Sequence, residues 1–490
     1  MPEKTLSSLG LTPRHGGDIS VRGLSLDSRS TQTGELFAAL PGSQVHGAQF
    51  VDAALERGAA AILTDAEGAK IAGDLPPGTG LVITAEPRAA LARAAALWYG
   101  AQPEHVVAVT GTNGKTSIAS FTRQIWIELG YEAASIGTIG VEGAYSAPGI
   151  HTTPDPLTLH RLLADMAEAG VTHVAMEASS HGLDQNRLDG VALSGAALSK
   201  HTQANLDYHG SMAAYLAAKL RLFTELLPAT GTVVTNLEDP AAADLAQSAQ
   251  ARDQAVHSIG DIGQSGDISI TGRRLDETGQ TLLFTYLDRP FQARLGLIGA
   301  FQAMNALSAA GLAIATGARP EDVFGALPRL SGVRGRMQLA ARRASGAPVY
   351  VDYSHTPASL EIARKALRPH VLGRLHVVFG AGGDRDRGKR PLMGAAAAAH
   401  ADQLIVTDDN PRSEVPWQIR AEVLAGCPGA TEIGDRAEAI LRSVDALAPG
   451  DALLIAGKGH ETGQIVGDTV FPFDDVEQAS LAVAALEGAV

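Results

Sequence analysis

The sequence predicts a multidomain α/β protein, and three observations predict it. A chain of 490 residues is too long to close around one ordinary core. Apolar residues make up 45% and charged residues 19%, with only 4% aromatics, which suits small-residue contacts between helices and sheets and excludes wholesale disorder. From Val106 onward, strand, glycine-rich turn and helix alternate, the order of a mostly parallel sheet covered by helices.

From about residue 18 to 100, short apolar runs alternate with turn signals: ISVRGLSLDSRS, ELFAALPGS, the helix-like AQFVDAALERGAA and the strand-like AAILTD. An Ala-rich helix, PRAALARAAALWYG, ends at Gly100, and the polar link AQPEH closes an N-terminal α/β domain over 1–103. A central domain over 104–330 opens on the strand VVAVT. It continues through the helix TSIASFTRQIWIELG, the strand ASIGTIGV, the helix PLTLHRLLADMAEAG and the strand VTHVAMEAS. Between about 266 and 298, ISITGRRL and QTLLFTYL around ETG predict an antiparallel addition, and AMNALSAAGLAIATG a closing helix. SGVRGRMQ reads as a hinge, with Gly332 and Gly335 relaxing the backbone. The C-terminal domain over 331–490 carries VYVDYS, LHVVFGAGG, QLIVTDD and ALLIAGKGH, strands that each end in a polar turn. That is the Rossmann-like pattern in which ligands bind outside the carboxyl ends.

A net charge of −14 argues against a nucleic-acid or anionic-membrane surface and leaves small molecules as partners. The single cysteine, Cys427, excludes an intrachain disulfide and reads as a buried thiol. With no N-terminal apolar core and no run of about 18 apolar residues, the expected compartment is the cytoplasm.

Chemistry concentrates in three places. VVAVTGTNGKTS runs a buried strand into Gly111, Thr112, Asn113, Gly114, Lys115 and Thr116 and then a helix. Backbone N–H groups there can cradle phosphate, Lys115 can reach its outer oxygens and Thr116 can hold Mg²⁺. Val109 stands where a full Walker motif has its first glycine, so the loop is the tighter G-x-x-G-K-T form. Glu177 ends an apolar strand, where a carboxylate is costly unless it meets a cation such as Mg²⁺ or caps the turn after it. In DNPR, Asp409, Asn410, Pro411 and Arg412 follow a strand; Arg412 can clamp a carboxylate bidentately, and Arg385, Gly457 and Glu461 can frame an amino-acid head group.

TGTNGKTS resembles the ATP loop of the Mur ligases and their folylpolyglutamate synthetase relatives. LDSR (26–29), HTTPDPL (151–157), MEASSHGLDQNR (176–187), YLAAKLRLF (215–223), DYSHTP (352–357), GGDRDRGKRPLM (382–393), DNPR (409–412) and GKGHE (457–461) match the Mur family in the same order. LDSR, HTTPDP and DNPR together disfavour the folate-type relatives. The resemblance implies a monomeric three-domain enzyme that binds a nucleotide sugar, ATP and an amino acid in turn. It would make an amide through an acyl phosphate in peptidoglycan synthesis, and hence serve cell shape and division. It further implies that Lys219 is carbamylated to become a Mg²⁺ ligand, which requires a neutral, partly buried amine. Catalysis would rest on Lys115, Lys219 and Glu177. Ser28, Thr152, Thr153, Ser179, Gln185 and Arg187 would hold a UDP-muramoyl peptide, and Asn305 and Asp352 would face the nucleotide. DNPR accompanies the members that add meso-diaminopimelate, whose distal carboxylate lysine lacks.

One stretch departs from the family. Where the family has TNLTRDHLDYHG, this chain reads LSKHTQANLDYHG, placing Lys200, Ala204 and Asn205 where Asn, Asp and a metal-binding His are expected. Asn205 offers a carbonyl oxygen in place of imidazole, and Lys200 brings positive charge toward the cation. Three readings stay open: a ligase with rearranged ligands using His201 or His209, a paralogue acting on another carboxylate, and a nucleotide-binding protein with impaired catalysis.

Overall fold

A computed structural model describes residues 3–42, 44–149, 151–201, 206–399 and 401–488. They fall into two compact units, Met1–Gly260 with Ser308–Val323, and Asp261–Leu307 with Phe324–Val490. Among the described residues, no helix is long and apolar enough to cross a membrane.

The first unit holds two sheets. Near the N-terminus the order is Pro13–His15, Gly80–Ile83, Ala61–Thr64, Glu35–Ala38 and Gly23–Ser25, parallel except for the first pair. The helix Pro87–Tyr99 packs Leu91 and Ala94 into this sheet's core and stops at Gly100, as its sequence predicts. Further along, the order is Gly140–Gly143, Ala133–Gly137, His173–Glu177, His105–Thr110, Leu193–Leu198, Thr232–Asn236 and Ala255–Gly260. All of these pairs are parallel except the outermost, Gly140–Gly143 on Ala133–Gly137. The run ASIGTIGV therefore makes two strands and a hairpin, not one strand, because Gly140 takes a φ of 102° that L side chains avoid.

The central strands are apolar throughout because both faces are covered. Val106, Ala108, Val174 and Met176 enter one core with Leu159 and Leu163 of the helix Pro156–Glu168. On the helix Lys115–Glu128, Phe121, Ile125 and Trp126 are fully buried, and Trp126 Nε1 donates to Thr316 Oγ1 at 3.1 Å. Burying each such side chain stabilises the fold by roughly 2–3 kcal/mol, so the strand that delivers the glycine-rich loop is rigid.

The second unit contains a three-stranded antiparallel sheet, Ile268–Asp276, Gly279–Tyr286 and Arg289–Leu295. Its third strand was not expected, since Arg289, Pro290 and Arg294 mask the alternation of RPFQARL. A six-stranded sheet lies beyond it in the chain, in the order Gln338–Arg342, Pro348–Asp352, Ala452–Ala456, Leu375–Phe379, Gln403–Val406 and Thr431–Glu432, parallel after the first pair. Separate cores cover its faces, one containing Val377, Leu454 and Met393, the other Val378, Ile455 and Ile440. Cys427 is buried in the first of these.

Two features of this unit hold the carboxyl ends of its strands in place. Arg436 and Asp475, both fully buried, form a two-pronged ion pair at 2.7 Å per prong, and Arg436 Nη2 also donates to Ala456 O at the end of the central strand. Removing one partner of such a pair costs about 3–5 kcal/mol. Gly335, expected to loosen a hinge, is instead pinned: its carbonyl accepts from Tyr353 N at 2.9 Å, and a Cβ would sit 2.2 Å from His460 N. The glycine is needed there both for close approach and for its φ of 65°.

Candidate active site

In the first unit the strand His105–Thr110 ends in the loop Gly111–Gly114. Gly111 has a φ of 141°, and a Cβ on it would lie 1.8 Å from Ser199 Oγ, so only glycine fits. Gly114, at φ 89°, turns the chain into the helix that starts at Lys115. The loop is clamped from the neighbouring strand end: Thr112 N donates to Lys200 O at 2.8 Å and Ser199 Oγ to Asn113 O at 2.6 Å. Lys115 Nζ donates to Gly111 O at 3.0 Å and Thr112 O at 3.1 Å, so the ammonium sits inside the curl of its own loop. Thr116 is buried beneath it. Preformed N–H groups and a cation at a helix start make a phosphate cradle.

Glu177 stands one strand away, in register with Val109. Its carboxylate is 1% exposed, and accepts from Thr138 N at 2.8 Å and Thr138 Oγ1 at 3.3 Å. Lys219 lies on the helix Met212–Arg221 and is also 1% exposed, with Nζ 4.3 Å from the centre of the Tyr215 ring. Burial, and then the nearby Lys115, pull its amine down to about 6, so at neutral pH it is a free base. Tyr215 Oη lies 3.2 Å from Thr112 Oγ1, which ties this helix to the loop.

The chemistry of this set fits a Mg²⁺ bound mainly through phosphate oxygens. Among the described residues there is no group of three His, Cys, Asp or Glu side chains arranged to hold a metal, and Mg²⁺ in such sites usually takes only one or two protein carboxylates. The Lys200 ammonium is paired with Glu238 at 3.6 Å. Asn205 lies outside the described residues. His201 and His209 flank the Tyr215 ring at 4.9 and 5.2 Å, each with a buried ring nitrogen that has no hydrogen-bond partner among the described residues.

Five of the six residues expected to hold the nucleotide sugar gather beside Glu177. Thr153 Oγ1 donates to Glu177 O and accepts from Ser179 N, both at 2.9 Å, and Thr152 Oγ1 is 3.0 Å from Thr138 Oγ1. Arg187 donates to Thr153 O at 2.7 Å and to Gln185 Oε1 at 2.8 Å. The sixth, Ser28, is buried in the first sheet's turn Asp27–Thr31, apart from the hydrogen bonds that join the other five.

The second unit has its own cluster at the carboxyl ends of its parallel strands. Asn410 and Pro411 are buried against Gly382–Gly383: Gly383 N donates to Asn410 O at 2.9 Å, and a Cβ on Gly383 would lie 1.9 Å from Pro411 O. Arg390, fully buried, binds Glu414 and Glu422 and donates to Gly382 O at 3.2 Å, fixing the loop that carries Arg385, which is exposed. Arg412, at φ 52°, commits only Nη1 among the described residues, to Gly383 O at 2.8 Å and Asn410 O at 3.5 Å. Gly457, at φ 116°, lets Asp409 approach, since a Cβ would meet Asp409 Oδ2 at 2.6 Å. Asn410 Nδ2 donates to Glu461 Oε2 at 2.9 Å. So six of the seven expected residues converge around Asn410, with Arg385 on the adjoining loop.

In the same unit, Asp352 accepts from Met337 N at 2.7 Å, and burial raises its pKa. His355 bonds the Tyr353 carbonyl at 2.8 Å. Asn305 is buried and donates to Gln302 Oε1 at 3.0 Å. Sequence reasoning missed Lys458, which is fully buried among these residues. A signal was available: a lysine just after the five-residue apolar strand ALLIA, three positions before Glu461.

Comparison with known proteins gives the family of the chain. Models of the Mur ligase family match 20–99 (catalytic domain), 109–313 (middle domain) and 335–459 (glutamate ligase domain). A UDP-N-acetylmuramoyl-L-alanyl-D-glutamate–2,6-diaminopimelate ligase from Bradyrhizobium diazoefficiens is 50% identical, over 95% of this chain and 95% of that protein. The ligase of the same name from Caulobacter vibrioides is 49% identical over 99% of each. A solved structure of a ligase of that name superposes with a TM-score of 0.73 at 33% identity, covering 99% of this chain and 100% of that one. From the clamped phosphate loop to the DNPR turn, and along nearly all of its length, this chain belongs to the Mur ligase family.

Proposed function

We propose that the protein is an ATP-dependent ligase that joins meso-2,6-diaminopimelate to UDP-N-acetylmuramoyl-L-alanyl-D-glutamate, a cytoplasmic step in peptidoglycan precursor synthesis. Its working parts are three domains over 1–103, 104–330 and 331–490. The observation that carries this reading is Arg412: its guanidinium spends one nitrogen on the chain and leaves Nε and Nη2 uncommitted among the described residues, as a bidentate carboxylate site requires. That site lies in a chain half identical to two diaminopimelate ligases.

The roles divide according to the chemistry of each cluster. Gly111 to Thr116 receive the phosphates of ATP, with Asn305 and Asp352 toward the nucleoside. Ser28, Thr152, Thr153, Ser179, Gln185 and Arg187 hold the UDP-muramoyl peptide. Asp409, Asn410, Pro411, Arg412, Gly457 and Glu461, with Arg385, take the amino acid. Thr116, Glu177 and a carbamylated Lys219 would hold Mg²⁺, which when bound supplies positive charge to the transferring phosphoryl group. The free-base amine of Lys219 is the form that reacts with CO₂. The D-glutamyl carboxylate takes the terminal phosphoryl group and ADP leaves. The incoming amine then forms the C–N bond as phosphate departs. Lys115 stabilises the charge that builds during the first transfer.

Phosphate release that needs ATP and both organic substrates, with the tripeptide product identified by mass spectrometry, is the expected result. Release with other acceptors only overturns the assignment.

A further inference from the structure

The amino-acid cluster contains a residue that none of the expected roles uses. Lys458 is fully buried behind the DNPR turn, just beyond the strand Ala452–Ala456. Its Nζ donates to three oxygens: Asn410 Oδ1 at 3.1 Å, Glu461 Oε2 at 3.4 Å and Gly463 O at 2.5 Å. Asn410 Oδ1 also accepts from Ile465 N at 2.9 Å.

These bonds fix more than packing. An asparagine amide can be flipped to exchange its donor and acceptor. Here two donors, Lys458 Nζ and Ile465 N, converge on one end, so that end must be the oxygen. The Nδ2 end is then forced toward Glu461, where it donates to Oε2 at 2.9 Å. Lys458 reaches the same Oε2. One oxygen of Glu461 is thus spent on two donors, and Oε1 makes no hydrogen bond among the described residues although the side chain is 33% exposed. A carboxylate held this way offers one aimed acceptor in the cluster that contains Arg412.

We propose that Lys458 is a positioning residue for amino-acid selection. By locking the Asn410 amide and occupying Glu461 Oε2, it leaves Glu461 Oε1 as the acceptor for the ammonium of an amino-acid head group whose carboxylate meets Arg412. The inference rests on the ligase reading above. The substrate class it selects is an amino acid with a zwitterionic head group distal to the reacting amine. Lys458 itself touches no substrate and acts through Asn410 and Glu461.

The test starts from the full-length wild type, which must first give amide product with diaminopimelate; a failure there falls on the ligase reading and not on this one. Lys458→Met keeps the length of the stem and removes the donors. The expected result is a KM for diaminopimelate raised at least tenfold, with kcat within threefold and the KM for ATP and for the UDP-muramoyl dipeptide within twofold. Because Lys458 acts through Glu461, adding Glu461→Gln to Lys458→Met should raise that KM by far less than the product of the single effects. Should Lys458→Met fail to fold, Asn410→Asp reads the same orientation from the other side: it still accepts from Lys458 but cannot donate to Glu461, and should raise the same KM at least tenfold. An unchanged KM for diaminopimelate in a folded variant, an equal rise for all three substrates, or fully multiplicative effects overturns the proposal.

Discussion

Two lysines in this molecule are almost wholly buried, and their surroundings are opposite. Lys219 faces an aromatic ring and has no hydrogen bond or ion pair among the described residues. Lys458 is ringed by three oxygens. Burial without acceptors disfavours the charged form and leaves a lone pair available for reaction, whereas burial among acceptors uses the charge as a fixed post. The same side chain is set once beside an aromatic ring and once among oxygen acceptors, and only its neighbours differ.

Several measurements could break this contrast. The largest effect belongs to the lysine next to Lys219: Lys115→Ala should lower ATP-dependent product formation by ~10³-fold, since it removes the cation proposed to stabilise developing phosphoryl charge. In an assay of phosphate release, a loss of less than tenfold would sink that role.

Stability should then separate the two buried amines. Lys458→Met leaves Asn410, Glu461 and the Gly463 carbonyl short of a donor, and should cost ~2–4 kcal/mol in urea unfolding. In CO₂-free buffer at neutral pH, Lys219→Met should instead stabilise the protein by up to about 5 kcal/mol. The sign comes from its folded-state pKa, about 6 against the ordinary 10.5: the unfolded chain binds a proton that the fold refuses. Wild-type stability from this group therefore rises with pH from about 6 toward 10.5, and the Met variant should flatten that slope. Bicarbonate should reverse the preference if the carbamate forms, and intact-mass analysis would record one added CO₂ on the wild type only.

Smaller effects sharpen the contrast. Gly382→Ala places a Cβ 2.9 Å from Arg412 Nη1 and should raise the KM for diaminopimelate about tenfold by displacing that guanidinium, a difference of ~1.4 kcal/mol. An unchanged KM would show that the arginine gives way freely. Lys200→Ala should change stability by less than about 0.5 kcal/mol, because its ion pair with Glu238 is loose and half exposed.

How far the sequence could be read depended on the range of each interaction. The phosphate loop, Glu177 and the DNPR turn were legible because strand, turn and helix lie within a few residues of one another, and the fold class came from the same alternation. Lys219 was legible only by likeness, since MAAYLAAKLRLF reads as any helix with a surface lysine; the ring of Tyr215 that desolvates it is one turn away, but the loop beside it is about a hundred residues distant. Lys458 escaped because glycines on both sides suggest an exposed turn, while one of its acceptors, Gly463 O, belongs to the hairpin Gly463–Val466 with Thr469–Pro472, which carries no strong strand signal. The strand Arg289–Leu295 was lost to a proline, and the pinning of Gly335 depends on His460, far along the chain.

The way Arg412 is mounted bears on how such a protein could change what it accepts. Its N–H donates to Ile465 O at 3.0 Å and its carbonyl accepts from Gly467 N at 2.8 Å, so the residue proposed to read a carboxylate is a rung on the edge of a hairpin. A different amino acid could not be admitted by exchanging that side chain alone, because the left-handed backbone beneath it would remain set by the hairpin. On the proposed reading, choice of substrate is carried by two bonded segments about fifty residues apart, and a graft meant to alter it should carry 409–412 and 457–472 together.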